Sequence, residues 1–424
     1  MYKKSEEILE RSLASIPLAS QTFSKSITQY PRGASPLFIE RGEGSIVWDV
    51  DGNEYIDFVS SLLSITLGYC DKDVDKAVQE QMKKGVTFSL PHILETEVAE
   101  KLIDLIPCAE KVRFGKNGTD VTSAAIRVSR AYTGKEHIAV CGYHGWQDWY
   151  IGSTARDLGV PDSVKKLTHK FEYNDIDSLE RIFQEQELAC VIMEPMNTTY
   201  PKDNFLEKVK EITHKNNAIL IFDEMITGFR YSIGGAQKLF GVTPDLATFG
   251  KGMANGYPLS AVVGSNKIMK KMEDIFFSGT FGGETLSLAA ANAVIDKYKN
   301  QEVIKHFNKM GGYLLEQLNN LIDNEELSNI FWTSGYFSWS FLHIRPQSQY
   351  SDFEIRTFFL QEMFKRNILT LGSHNLNFSH SKRDVDKLLD AYREVLPTIK
   401  KHIEEKSLLE NIQCSILQPL FKVR

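Results

Sequence analysis

The chain has few cysteines, no long apolar run and no excess of basic charge, and each shortage removes a class of function. Its five cysteines (Cys70, Cys108, Cys141, Cys190 and Cys414) are scattered, with no CxxC pair. Neither a disulfide framework nor a thiolate metal site is expected, and the thiols fit a reducing, cytoplasmic compartment. No apolar stretch is long enough to span a membrane, and the polar start Met1-Tyr2-Lys3-Lys4-Ser5-Glu6-Glu7 lacks the apolar core of a signal peptide. A net charge of -6, with no basic stripe interleaved with aromatics, argues against nucleic acid as a partner. The GxxxxGK[ST] and GxGxxG phosphate loops are both missing, as are repeats and low-complexity segments.

What is present is a long chain of ordinary globular composition. Its 424 residues, 42% of them hydrophobic, exceed what one small core needs, so two domains are expected. Gly44 to Phe58 alternates apolar and polar residues around Asp51-Gly52, which reads as a β-hairpin. Leu94 to Ile106 has the pattern of an amphipathic helix. Between Val112 and Val263 the pattern alternates strand and helix. Strand candidates are Val112 to Phe114, His137 to Cys141, Ala189 to Met193, Ala218 to Phe222, Leu246 to Phe249 and Ala261 to Val263. That alternation implies an α/β fold with a mostly parallel sheet covered on both faces. After about Gln301, two long helical patterns (Val303 to Leu321 and Asp384 to Glu404) flank shorter pieces such as the strand-like Tyr336 to Phe341. We therefore expect an N-terminal segment (1–69) packing with a small α+β domain (301–424), and a large α/β domain over 70–300.

The most informative pair is Asp223 and Lys251. The run Ala218 to Phe222 ends on the carboxylate of Asp223, and Leu246 to Phe249 ends on the glycine-flanked Lys251. Side chains at the carboxyl ends of parallel strands point into the ligand crevice. A lysine there can form a Schiff base and an aspartate can hold a pyridinium proton, which are the two requirements of pyridoxal-phosphate (PLP) chemistry. Each alone has a bland reading: an Asp after a strand is often a helix N-cap, and a Lys in a loop is often solvated. Phe114-Gly115-Lys116-Asn117-Gly118-Thr119-Asp120 lies between a strand and a helix, where exposed amides and a threonine hydroxyl can bind an anion. Tyr143, in Gly142-Tyr143-His144-Gly145, can stack on a flat ring, with His144 as a supporting polar group. Glu194-Pro195 ends another strand.

Taken together, these stretches resemble the class III PLP-dependent aminotransferases of fold type I. The resemblance rests on Gly118-Thr119-Asp120, Tyr143-His144-Gly145, Glu194-Pro195, Asp223 to Arg230, Phe249-Gly250-Lys251-Gly252 and Gly279-Thr280-Phe281, in the family's order over most of the chain. Within the family the chain looks most like the glutamate-1-semialdehyde 2,1-aminomutases. The pointers are Ala131 to Lys135 and the segment Gly152 to Ser163, which is similar to their gating loop. The resemblance implies that Lys251 is the Schiff-base lysine and proton shuttle, and that Asp223 pairs with the pyridine nitrogen. It places Tyr143 on one face of the ring and Met225 on the other, Gly118 and Thr119 on the phosphate, and His144 and Glu194 among the cofactor contacts. Thr280 would reach the phosphate of a partner subunit, so a homodimer with its sites at the interface is implied.

The chain departs from that pattern where substrate is read. Asn117-Gly118-Thr119 replaces Ser-Gly-Thr, and Gly282-Gly283-Glu284 replaces the Gly-Asn-Pro after the interface threonine. Leu62 stands at a pocket tryptophan, Lys25 at an arginine, and Ser373-His374-Asn375 where the aminomutases carry a glutamate. Thr22, Lys25, Leu62, Arg156 and His374 are the expected substrate-binding residues. A lysine still holds an anion, as a point charge rather than a planar fork. We expect an aminotransferase moving an amino group from a donor to a small, anionic carbonyl acceptor. The alternative is an aminomutase, which moves the amine within one molecule. A non-catalytic protein on the same fold is disfavoured by the intact Lys251 and Asp223.

Overall fold

The structure is a computed structural model that describes residues 2–418. The chain forms two compact units. One combines the N-terminal segment up to Asp71 with the segment from Lys305 onward, and the other runs from Lys72 to Ile304. Among the described residues no helix is long and apolar enough to cross a membrane.

After the helix Lys3–Leu13, the first unit forms an antiparallel meander of β1 (Ile39–Glu43), β2 (Ile46–Asp49) and β3 (Glu54–Asp57). The expected hairpin is β2–β3. Gly52 supplies the left-handed residue of its turn at φ 89, and Asp49 accepts from the Asp51 and Asn53 amides. Directly after β3 the chain makes a turn that its sequence does not announce. Ser60, Ser61, Leu62 and Leu63 have φ values of 45, 48, 56 and 73. Four consecutive non-glycine residues in the left-handed region cost about 1–2 kcal/mol each, so surrounding bonds must hold them. Asp57 Oδ1 accepts from the Val59 and Ser60 amides at 2.7 and 3.0 Å. Asn375 Nδ2 donates to the Val59 carbonyl at 2.7 Å, the Ser60 hydroxyl donates to the Asn375 carbonyl at 2.7 Å, and Asn377 Nδ2 donates to the Ser60 Oγ at 3.2 Å.

The second unit is built on a seven-stranded sheet. In chain order its strands are β4 (Lys111–Gly115), β5 (His137–Cys141), β6 (Thr168–Lys170), β7 (Leu188–Met193), β8 (Ile219–Asp223), β9 (Leu246–Phe249) and β10 (Ser260–Gly264), and in space they lie β4-β10-β9-β8-β7-β5-β6. β5 to β9 pair in parallel, while β10 runs antiparallel between β4 and β9. β7 and β8 are buried along their whole length, which is why they read as unbroken apolar runs. The helix Gly118–Thr133 follows β4. It buries Val121, Ala124, Ala125 and Val128, one stripe at helical spacing, and stops at Gly134, which caps it at φ 72. Each fully buried valine of that stripe contributes roughly 1.5–3 kcal/mol. The helix Thr285–Asn300 lies against Lys72–Met82 and Ile93–Leu105 through its run of buried alanines.

The first unit is completed by β11 (Phe331–Tyr336), β12 (Trp339–Ile344), β13 (Ile368–Leu369) and β14 (Ser373–Asn375). β13 joins β3 in parallel, and β11-β12-β14 form a separate antiparallel sheet. The stretch Tyr336 to Phe341, expected to be one strand, is corrected here: Tyr336 pairs with Trp339, so the chain reverses at Phe337-Ser338.

The left-handed turn gives a test. Ser61→Gly should leave the thermal unfolding midpoint unchanged or raise it. Ser61→Val, β-branched and poorly tolerated at positive φ, should cost about 1–2 kcal/mol. Equal losses in the two variants would mean that Ser61 is not left-handed.

Candidate active site

The carboxyl ends of the parallel strands form one edge, and the candidate residues leave from it. Asp223 is the last residue of β8 and lies opposite Thr248 of β9, while Met193 of β7 pairs with both Phe222 and Cys141. Gly142-Tyr143-His144, Glu194 and Asp223 therefore leave neighbouring strands at the same level. Lys251 begins a short 3-10 turn, Lys251–Ala254, immediately beyond β9. It is half-buried and left-handed, at φ 41.

Asp223 is 3% exposed. Its Oδ2 lies 2.8 Å from His144 Nδ1, and its Oδ1 accepts from the Met225 amide at 3.1 Å and the Thr248 hydroxyl at 3.2 Å. A carboxylate offers about four acceptor positions, so three partners leave room for one more donor. His144, itself buried, has its Nε2 3.2 Å from the Cys141 carbonyl, and the Thr122 hydroxyl donates to the His144 carbonyl at 2.8 Å. The ring is fixed from two sides and in turn fixes the carboxylate. The adjacent carboxylate does something else. Glu224 accepts from the Ala236 and Gln237 amides at 2.7 and 2.9 Å. Burial pushes its carboxyl up while those bonds and that of Thr227 pull against the rise, so Glu224 caps the helix Ala236–Phe240 and faces away from the edge.

The turn between β4 and the Gly118–Thr133 helix is pinned at its base. Asp120 accepts from the Lys116 and Asn117 amides at 3.0 and 2.8 Å, and the Ser260 hydroxyl donates to the Asn117 carbonyl at 2.8 Å. Thr119 Oγ1 is buried and, among the described residues, has no hydrogen-bond partner. An orphaned hydroxyl at the N-terminus of a 16-residue helix marks a place for an anion. Gly145 (φ 110) lies so close that a Cβ on it would come within 2.6 Å of that hydroxyl. Met225 sits between the turn and the lysine: a Cβ on Gly118 would meet its Sδ at 2.9 Å, and one on Gly250 at 2.7 Å. Tyr143 donates its amide to Glu194 Oε2 at 3.1 Å, and its ring meets Tyr150 edge-on at 5.6 Å. The donor set fits PLP. There is an orphaned hydroxyl at a helix N-terminus for a phosphate, a carboxylate with an acceptor position left for a ring N–H, and a lysine from the same edge.

Thr280 is exposed in the loop after Gly279. Arg156 is exposed in the segment between the helices Asp148–Ile151 and Asp162–Lys165, next to the fully exposed Leu158. Thr22, Lys25, Leu62 and His374 belong to the other unit. Lys25 is exposed and Thr22 and Leu62 are half-buried. His374 departs from expectation. It is fully buried, with Nδ1 2.8 Å from the Ser340 hydroxyl and Nε2 2.8 Å from the Tyr392 hydroxyl, so neither ring nitrogen remains to offer a substrate. Its neighbour Asn375 keeps a buried Oδ1 that has no partner among the described residues. Sequence reasoning passed over Thr248 and Ser260, two hydroxyls that act on the site. Their signal was weak: each is a single polar residue in or beside an apolar strand.

The aminotransferase class-III family model matches residues 29–337. The 3-aminobutyryl-CoA aminotransferase of Cloacimonas acidaminovorans is 35% identical over 381 residues, covering 87% of this chain and 91% of that protein. A glutamate-1-semialdehyde 2,1-aminomutase of Methanothrix thermoacetophila is 34% identical over 417 residues, covering 92% and 95%. Among solved structures, an omega-transaminase from Sphaerobacter thermophilus superposes with a TM-score of 0.84 at 27% identity, covering 93% of this chain and 97% of that one. The FumI protein of Sphingopyxis sp. MTA144, solved with PLP, gives 0.87 at 26% identity, covering 94% and 97%. The fold, the donor set and these relatives agree: the chain belongs to the class-III aminotransferases, PLP-dependent enzymes of amino-group transfer.

Proposed function

We propose that the chain is an aminotransferase that takes an amino group from an external donor and gives it to a small, anionic carbonyl acceptor. What supports this reading over an aminomutase is the sequence at the positions expected to read substrate: Leu62 stands where the aminomutases carry a tryptophan, and Ser373-His374-Asn375, with no carboxylate, where they carry a glutamate. Exchanging one oriented polar group in a specificity site can change discrimination by orders of magnitude. The aminomutase is kept as a second reading because the segment 152–163 is similar to their gating loop and 34% identity extends over nearly the whole chain.

PLP supplies a carbonyl that exchanges amines and a ring that accepts the electrons left when the α-proton departs. This chain's residues do the rest. Gly118, Thr119 and the helix N-terminus would hold the phosphate. Asp223, held by His144, Thr248 and the Met225 amide, would keep a proton on the pyridine nitrogen, because a fixed negative charge favours the cationic form. Tyr143 and Met225 would flank the ring, and Glu194 orients Tyr143 through its amide. Lys251 Nζ would take the α-proton and return it to the neighbouring carbon, as base and then as acid. Five free thiols support a reducing, cytoplasmic compartment.

A homodimer is part of the proposal. Leu90, Ile93, Phe276 and Phe281, all in the second unit, are 79%, 62%, 81% and 59% exposed, and a subunit interface would cover large apolar side chains of this kind. Thr280 lies next to Phe281 and would reach the partner's phosphate. In size-exclusion chromatography with light scattering the protein should run as a dimer, and Phe276→Lys with Phe281→Lys should shift it toward monomer.

Lys251→Ala should lower kcat about 10⁴-fold while PLP is retained through its phosphate, and Asp223→Asn should cost about 10²–10³-fold. Near-normal turnover in either variant would remove that residue from the mechanism. To separate the two activities, L-glutamate is added to the PLP-loaded protein. Loss of the cofactor's visible absorbance with release of 2-oxoglutarate is the expected result. A spectral response to glutamate-1-semialdehyde alone would make the protein an aminomutase.

A further inference from the structure

We propose that Lys116 and Glu284 form a latch between the phosphate turn and the Gly279–Glu284 segment in which Lys116 neutralises the Glu284 carboxylate, and that this neutralisation sets the affinity for the cofactor's phosphate; this rests on the PLP reading above.

Lys116 immediately precedes the turn, and its Nζ lies 2.9 Å from Glu284 Oε2, with the two side chains only 18% and 14% exposed. Glu284 is also the N-cap of the helix Thr285–Asn300. Its Oε1 accepts from the Leu286 amide at 2.6 Å, and its Oε2 from the Ser287 amide at 3.2 Å and the Ser287 hydroxyl at 2.7 Å. Burial pushes the Glu284 carboxyl up, but the Ser287 hydroxyl, Lys116 and the Leu286 amide outweigh it and leave the group below its ordinary value. One carboxylate thus connects the N-terminal ends of two 16-residue helices, Gly118–Thr133 and Thr285–Asn300.

Two further basic side chains reinforce the link. Arg113 of β4 donates to the Phe277 carbonyl at 2.9 Å, and Arg127 of the Gly118–Thr133 helix donates to the Phe276 carbonyl at 2.7 Å. The segment that carries Thr280 is therefore fastened at both ends to the elements that carry Gly118 and Thr119.

The charges make the latch asymmetric toward an anion. With both side chains present, the ammonium and carboxylate offset each other and the phosphate is left to the helix terminus and Thr119. Without Lys116, a poorly solvated carboxylate remains near the place where a dianion must bind. Without Glu284, the ammonium remains, and a cation near a phosphate is favourable.

The experiment titrates the cofactor-free wild type, Lys116→Met, Glu284→Gln and the double variant with PLP and with pyridoxal, which lacks the phosphate, and follows the bound absorbance. Lys116→Met should weaken PLP about tenfold and pyridoxal hardly at all, and adding Glu284→Gln should recover most of that loss. Thermal unfolding of each cofactor-free protein checks that it is folded. If Lys116→Met weakens pyridoxal as much as PLP, or if the double variant is weaker than either single one, the pair is ordinary packing and the proposal fails. Failure of the wild type to take up PLP would overturn the cofactor reading itself, and is thereby distinguished from failure of the latch alone.

Discussion

The parallel register of β8 between β7 and β9 is the constraint on which the candidate site depends. In a parallel sheet every strand ends at the same edge, so each crossover can deliver one side chain to a common place. Here the crossovers deliver Tyr143 and His144 after β5, Glu194 after β7, Asp223 at the end of β8 and Lys251 after β9. A slip of one residue in β8 would exchange the faces of Asp223 and Glu224. The carboxylate now capping the Ala236–Phe240 helix would then turn toward the edge and its neighbour away. Asp223, the one charged residue of the buried β8, opposes that slip, because it has hydrogen-bond partners only in the present register.

Burial also explains why the site needs so many hydrogen bonds. An unpaired carboxylate at 3% exposure would carry a penalty of several kcal/mol. Asp223 avoids it with donors from three sources: the adjacent strand, its own turn, and the loop after β5. The last of these is itself held to the Gly118–Thr133 helix by Thr122. The ring-nitrogen end and the phosphate end of the candidate cofactor site are thus mechanically joined through His144, and a disturbance at one is transmitted to the other.

Much of this was legible in the sequence, for identifiable reasons. The central strands announce themselves as apolar runs that end on one charged residue, which located Asp223 and Lys251 without any coordinates. The short strands β1, β6 and β13 do not, because β1 and β6 are polar or half-exposed and β13 is a pair of residues added to an edge. Tyr336 to Phe341 reads as one strand because its apolar and polar residues continue to alternate through the reversal at Phe337-Ser338. The left-handed turn at Ser60 to Leu63 contains no glycine and is held by Asn375 and Asn377, far along the chain, so no local pattern could reveal it. His374 was misjudged for the same reason: whether a histidine faces a ligand or the interior is decided by partners such as Ser340 and Tyr392.

The division of the chain has a consequence for its birth on the ribosome. The unit from Lys72 to Ile304 is contiguous and can close as soon as it has been synthesised, whereas the other unit draws its two halves from either side of it. β3 therefore emerges with an open edge and must keep it until β13 arrives to pair Ile368 with Ile56. During that interval the strand is a template for any other extended chain. The short, partly polar Glu54–Asp57 sequence, with a charged residue at each end, suits a strand that waits. In a crowded cell, the vulnerable moment of this protein is the pause before β13 appears, when the unit that carries the candidate cofactor site is already complete.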